Sequence, residues 1–292
     1  MQTLTTDCVL YEKAILGEGP VWREETQDLI WVDIESARVC IFNPTSGENQ
    51  TWDVGEKPGF AVPTQRGDLI LGTSAGFVRL DLASGVLSPI IDPEQDLPNN
   101  RFNDGKVDHE GRLWAGTMDM DELPNAGSFY LLNRNLSVDK LFDQISISNG
   151  LAWAPDQKSF YYIDSPTRRV DVFDCDMTIG TVANRRISFE LPDGMGYPDG
   201  MCIDNEGMLW VALWQGWGVA RFAPDGTILA KVEVPVECVT SCCFGGENWD
   251  ELYITTSSRD LDDAGRVAQP LAGGLFRCQT GVGGPPTNLF LG

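Results

Sequence analysis

The sequence predicts an all-β fold, a six-bladed β-propeller, on three observations. No long amphipathic helical pattern appears along the 292 residues. Short β-type runs bounded by Gly, Asp, Asn and Pro appear instead. Six of these runs resemble one another, with anchors at Leu29, Leu69, Leu113, Phe160, Leu209 and Leu252, so at gaps of 40, 44, 47, 49 and 43 residues. A period of about 40–50 residues built from short strands is that of a propeller, one four-stranded blade per repeat.

The blades follow in chain order. Their runs are QDLIWVDI at 27–34, GDLILGTS at 67–74, GRLWAGTM at 111–118, KSFYYIDS at 158–165, GMLWVALW at 207–214 and DELYITTS at 250–257. A second recurring strand comes after each: RVCIF, GFVRL, GSFYL, RVDVF, GVARF and GGLFR. Polar turns such as NPTSG, LASG and APDG separate the strands. The leading segment TTDCVLYEKA is expected to be an outer strand that closes the ring beside the last blade. No linker interrupts the pattern, so residues 1–292 read as a single domain.

Composition narrows the function. With 21 basic and 43 acidic residues, the net charge is −22. Such a surface repels phosphate backbones and anionic lipid, so neither nucleic acid nor membrane is an expected partner. No apolar run approaches the roughly 18 residues needed to span a bilayer, and the N-terminus lacks a signal-peptide pattern. The eight cysteines lack the paired CxxC spacing of a zinc site and read as reduced thiols in a cytoplasmic protein. The single histidine, His109, sits at a turn, which makes a Ser-His-Asp triad an unpromising basis for catalysis.

The segment LPDGMGYPDGMCID at 191–204 holds two copies of Pro-Asp-Gly, and a third follows at 224–226. Pro-Asp-Gly is ordinarily a turn. The third copy falls at a hairpin position and the first in a connection between blades. The second enters a channel-lining strand. Counting back from the anchors places Glu18, Asn103, Asn149 and Asp199 at equivalent positions, each four residues before Trp22, Val107, Trp153 or Ile203. In the two other blades the position falls near Gly59 and near Thr240 or Ser241. Two carboxylates and two amides converging at one mouth suit a hard divalent cation, Ca²⁺, Mg²⁺ or Mn²⁺, better than structural zinc. Trp214, Trp217 and Phe60 are candidates for stacking walls.

On these residues the chain resembles the family of senescence marker protein (regucalcin) and gluconolactonases. The resemblance is carried by NNRFNDGKVDHEGRLWAGTM at 99–118, with LGEGPVW at 16–22, ISNGLAW at 147–153, FYYIDS at 160–165, PDGMCID at 198–204, TSCCFGG at 240–246 and QPLAGGLF at 269–276. It covers nearly the whole chain. It implies a six-bladed propeller holding one divalent cation (Ca²⁺, Mg²⁺, Mn²⁺ or Zn²⁺) and hydrolysing a sugar lactone. The metal ligands implied are Glu18, Asn149 and Asp199, with Asp199 also the general base. Arg101 and Asn103 are implied to bind substrate. So is an acid after the GTM segment, a position that Asp121 fills in line, with Glu122 beside it. The expected function is therefore metal-dependent opening of an aldonolactone. The alternatives are a metal-dependent esterase or phosphotriesterase and a non-catalytic metal-binding propeller.

Overall fold

A computed structural model describes residues 2–292. Six sheets stand around one axis in chain order, each in contact with the next. The first blade comprises Gly17–Arg23, Asp28–Asp33, Arg38–Phe42 and Asn49–Asp53. The innermost strands of the next five are Phe60–Pro63, Asn100–Val107, Ser148–Trp153, Tyr197–Ile203 and Val239–Gly245. Each of the six repeated runs forms the second strand of its blade.

The ring closes as the sequence predicts. Asp7–Leu10 is the outer strand of the last blade, antiparallel to Leu275–Gln279, with Asp7 opposite Arg277 and Cys8 opposite Phe276. One feature is additional. Gln2–Thr5 lies parallel to Ile228–Glu233 and gives the fifth blade a fifth strand. Of its four residues only Leu4 is apolar and half-buried, packed against the core, and one apolar residue in four is too short a pattern to signal a strand. The start of the chain thus stitches the fifth blade to the sixth.

The core lies between blades rather than in one central mass, because each sheet buries both faces against its neighbours. Trp22 of the first blade stacks on Tyr253 of the sixth at 5.1 Å, across the seam. All eight cysteines are free, and Cys40, Cys202, Cys238, Cys242 and Cys278 are buried, filling such interfaces as small apolar groups. Among the described residues, no helix is long and apolar enough to cross a membrane. One short helix, Asp263–Ala268, interrupts the sixth blade.

All three Pro-Asp-Gly copies behave differently, as expected. Pro224–Gly226 is a hairpin turn, closed by Ala223 N–H donating to Thr227 O. Pro192–Gly194 is loop, and Pro198–Gly200 lies within a strand.

Two blades share a buried staple. Asp108 accepts from Trp114 Nε1 at 2.7 Å, Arg112 Nε at 2.8 Å and the backbone N–H groups of Glu110 and Arg112. Asp204 repeats it with Trp210 Nε1 at 2.9 Å, Arg221 Nε at 2.8 Å and the N–H groups of Glu206 and Met208. Both aspartates are 0% exposed. The VDHEGRLW and IDNEGMLW segments therefore encode turn, strand and cross-strand bond together.

Removing one partner of such a buried ionic network typically costs about 3–5 kcal/mol. Asp204→Ala should lower unfolding free energy in urea by that order, whereas Asp225→Ala, at an exposed hairpin, should lower it by less than about 1 kcal/mol. Equal losses would contradict the staple.

Candidate functional site: an oxygen-lined mouth of the channel

The register of the innermost strand slips once in five of the six blades. The slips fall between Glu18 and Val21, Phe102 and Asp104, Ser148 and Leu151, Pro198 and Met201, and Val239 and Ser241. Bulges of this kind re-aim side chains out of the pleat. Asn103, Asn149 and Asp199 lie inside the slips and Glu18 on the edge of one. The four positions that counting back from the anchors makes equivalent thus share a repeated bulge. Asn149-Gly150 and Asp199-Gly200 are not turns. A Cβ on Gly150 would press on Asp199 O, and one on Gly200 would collide with Ser241, so glycine lets successive innermost strands approach.

The bulges open onto a cavity of about 550 Å³ lined by Glu18, Arg101, Asn103, Glu122, Asn149 and Asp199, among others. The opposite end of the same strands, around Lys106, holds a smaller cavity of about 110 Å³. There the C-terminal segment passes beneath the channel, with Asn288 Nδ2 donating to Val107 O at 3.1 Å and Leu291 N–H to Gly111 O at 3.0 Å. Lys106 Nζ donates to Leu151 O at 3.0 Å and Met201 O at 2.8 Å, tying three consecutive innermost strands together.

Second partners orient the site's side chains. Asn149 Nδ2 donates to Ser165 Oγ at 2.9 Å, and Ser165 Oγ donates to Pro198 O at 2.7 Å. That fixes the amide and leaves Asn149 Oδ1 as the free acceptor. Asn103 Nδ2 donates to Ser148 O at 2.7 Å, while its Oδ1 accepts from Arg101 Nη1 at 2.6 Å. Asn103 is therefore committed to Arg101 in a way that Asn149 is not. Among the described residues, Glu18 Oε2 accepts from Gly19 N–H alone, at 2.8 Å.

Asp121 and Glu122 part company. Asp121 is exposed, and its carboxylate accepts from Asn99 Nδ2 at 3.0 Å. Glu122, not Asp121, lines the cavity. A left-handed backbone at Glu122 (φ 59°) makes the difference, and nothing in GTMDMDELP signals it. Sequence reasoning also missed Arg259 and Ser165, which line the cavity from connections between strands, and Tyr197, which lines it from the start of the innermost strand of the fifth blade. Of the three candidate aromatic walls, Trp214 lines the cavity, Phe60 is buried beside Phe102 in the core, and Trp217 lies outside the lining.

Burial pushes the Glu18 carboxyl up from an ordinary 4.5 to about 8, with Asp104 adding to the rise and Gly19 N–H and Arg101 opposing it. Asp199 is raised well above its ordinary value by burial first and then by Glu18 and Asp104. Arg101 is lowered to about 10 by burial. Four acids, Glu18, Glu122, Asp199 and Asp260, face two arginines, Arg101 and Arg259. With all four carboxyls ionised, two negative charges would be in excess, and one divalent cation would balance them. Among the described residues no three His, Cys, Asp or Glu side chains gather into a metal cage. A cation here would take two carboxylates and the free amide oxygen of Asn149, an all-oxygen set that suits a hard ion.

Fold and site together define a six-bladed propeller with an acidic, oxygen-lined pocket at one mouth of its channel. The profile of the family described as SMP-30/gluconolactonase/LRE-like region matches residues 16–258, and the chain belongs to that family. Regucalcin of Xenopus laevis is 40% identical over 97% of this chain and 96% of its own length. The solved structure of a luciferin-regenerating enzyme is 34% identical, with a TM-score of 0.90 over 97% of this chain and 99% of the other. A calcium-binding regucalcin from Agrobacterium tumefaciens is 28% identical, with a TM-score of 0.94 over 99% of both chains.

The raised carboxyls carry a stability consequence. Glu18 binds its proton more tightly folded than unfolded, so its contribution is fully present below about pH 4.5 and is lost as pH rises towards about 8. With chelator present, the melting temperature should fall through that window, and Glu18→Gln should flatten the fall. Parallel profiles for the two proteins would contradict the assignment.

Proposed function

We propose that this protein is a divalent-metal-dependent lactonase that opens an aldonolactone to the aldonic acid. Family membership supports a lactonase-type enzyme. The observation that carries the finer reading is the pair of buried, mutually repelling carboxylates, Glu18 and Asp199, beside an amide oriented by Ser165. Glu18, Asn149 and Asp199 would hold the cation. Bound there, a divalent cation would polarise the lactone carbonyl and favour the ionised carboxylates.

A lactone is a cyclic ester, so ring opening adds water across the acyl carbon–oxygen bond. Asp199, once ionised, takes a proton from the attacking water as general base. The water oxygen bonds to the carbonyl carbon, the ring carbon–oxygen bond breaks, and the ring oxygen leaves as a hydroxyl after accepting a proton. Arg101, oriented by its bond to Asn103, presents its remaining N–H donors to substrate oxygens. Of the two adjacent acids, Glu122 is the one suited to accept from sugar hydroxyls, because Asp121 is engaged by Asn99. With its carboxyls ionised and one divalent cation bound, the lining would carry no net charge, which suits an uncharged polyhydroxylated substrate better than an anion.

The test compares two aspartates in the same tripeptide. Loss of a general base typically lowers rate by about 10²–10⁴-fold. Asp199→Asn should lower kcat by at least that and weaken metal binding while leaving the fold intact, whereas Asp193→Asn, in an exposed loop, should match wild type. Chelation should abolish wild-type ring opening and added divalent metal restore it. Equal behaviour of the two variants, or activity indifferent to chelation, would overturn the mechanism.

A further inference from the structure

Glu122 and Arg259 reach the cavity from opposite sides of the ring. Glu122 belongs to the turn after Leu113–Asp119 in the third blade, and Arg259 to the loop after Glu251–Thr256 in the sixth, three places around. Arg259 Nη2 lies 3.6 Å from Glu122 Oε1, and both residues line the cavity. Other exposed ion pairs here, Arg38–Asp53, Arg134–Glu110 and Arg186–Asp174, join strands or turns of one blade. Arg259–Glu122 spans the mouth.

Both ends are built to meet. Asp119 Oδ1 accepts from Asp121 N–H at 2.8 Å, and Asn99 Nδ2 donates to Asp119 Oδ2 and Asp121 Oδ2 at 3.0 Å each. The turn thus ties Asp121 to Asn99 and presents Glu122, in its left-handed conformation, to the cavity. Across the mouth, Arg259 N–H donates to Ser257 Oγ at 3.0 Å, and Ser258 N–H to Ile15 O at 3.1 Å. Arg101 lies near enough for both Glu122 and Arg259 to act on its charge, so Glu122 stands among two guanidinium groups.

We infer that Arg259 is a positioning residue for substrate recognition. It holds the Glu122 carboxylate over the cavity, where that carboxylate accepts hydrogen bonds from the hydroxyl groups of a polyhydroxylated lactone. The inference rests on the lactonase reading and adds to it the residue that sets hydroxyl recognition. The pair is a bias on Glu122 and not a lock: the two side chains are 35% and 50% exposed, so water screens their attraction. Its effect falls on binding, because the ion pair Arg259 makes is with Glu122 and not with Glu18 or Asp199, the carboxylates at which the ring opens.

The experiment measures kcat and KM for five- and six-carbon aldonolactones at low and high NaCl. It uses wild type, Arg259→Ala, Arg259→Lys, Glu122→Gln and the double variant Arg259→Ala/Glu122→Gln, each with its melting temperature. Arg259→Ala should raise KM about two- to fivefold, the range of an exposed ion pair, with kcat within about twofold and melting unchanged. Arg259→Lys should recover part of the loss. The double variant should be no worse than Glu122→Gln alone, since both changes remove one interaction. Salt should raise wild-type KM and leave that of Arg259→Ala flat. An Arg259→Ala enzyme with wild-type KM for every lactone, or additive losses in the double variant, overturns the inference and leaves the lactonase reading standing. A wild type that opens no lactone overturns both.

Discussion

The open mouth depends on how the ring is held at one seam. A propeller has no chemical closure, so the first and last blades must be joined by strand pairing. Here Asp7–Leu10 supplies the outer strand of the sixth blade, and Gln2–Thr5 grips the fifth. The candidate site straddles that seam. Glu18 comes from the first blade and Asp199 from the fifth, with the sixth between them. Thr240 of the sixth blade donates to Gly17 O at 2.6 Å, beside Glu18. Any loosening of the seam would therefore separate the two carboxylates before it disturbed the distant blades.

Holding those carboxylates together works against stability. Glu18 and Asp199 are buried and repel one another, and Asp104 pushes on both. A fold selected only for stability has no reason to place acids so. The compensation lies nearby: Lys106 bonds two neighbouring strands, and Asn103, Ser165 and Thr240 each bond a backbone carbonyl of the next blade. These inter-blade bonds fix the spacing of the innermost strands from side chains next to the site. A divalent cation would turn the repulsion into attraction, which makes the pocket's strain and its proposed chemistry two aspects of one arrangement.

The ring and its order were legible because each blade repeats one physical unit, a turn, a buried run and a second strand, at nearly constant spacing. The positions at the mouth were legible by counting back from the anchors, although counting does not show the repeated bulge that makes them equivalent. The bulges shift register, and the glycines admit the neighbouring strand. What stayed hidden depended on backbone conformation or on long-range meeting. Whether Asp121 or Glu122 faces the cavity turns on one left-handed residue and one bond from Asn99. Ser165 and Arg259 come from connections whose local sequence says nothing about the axis, and Tyr197 from the outermost residue of its strand. Gln2–Thr5 pairs with residues more than two hundred positions away, and four residues carry too little periodicity to announce it.

The most direct measurement is anomalous diffraction from crystals soaked in Mn²⁺. The arrangement of Glu18, Asn149 and Asp199 requires one strong peak per chain in the large cavity, with oxygens of all three residues close enough to coordinate it. It also requires that the peak vanish in Asp199→Asn crystals or lose occupancy sharply. A peak elsewhere on the acidic surface with none at the channel mouth, or a mouth peak indifferent to Asp199→Asn, would contradict it.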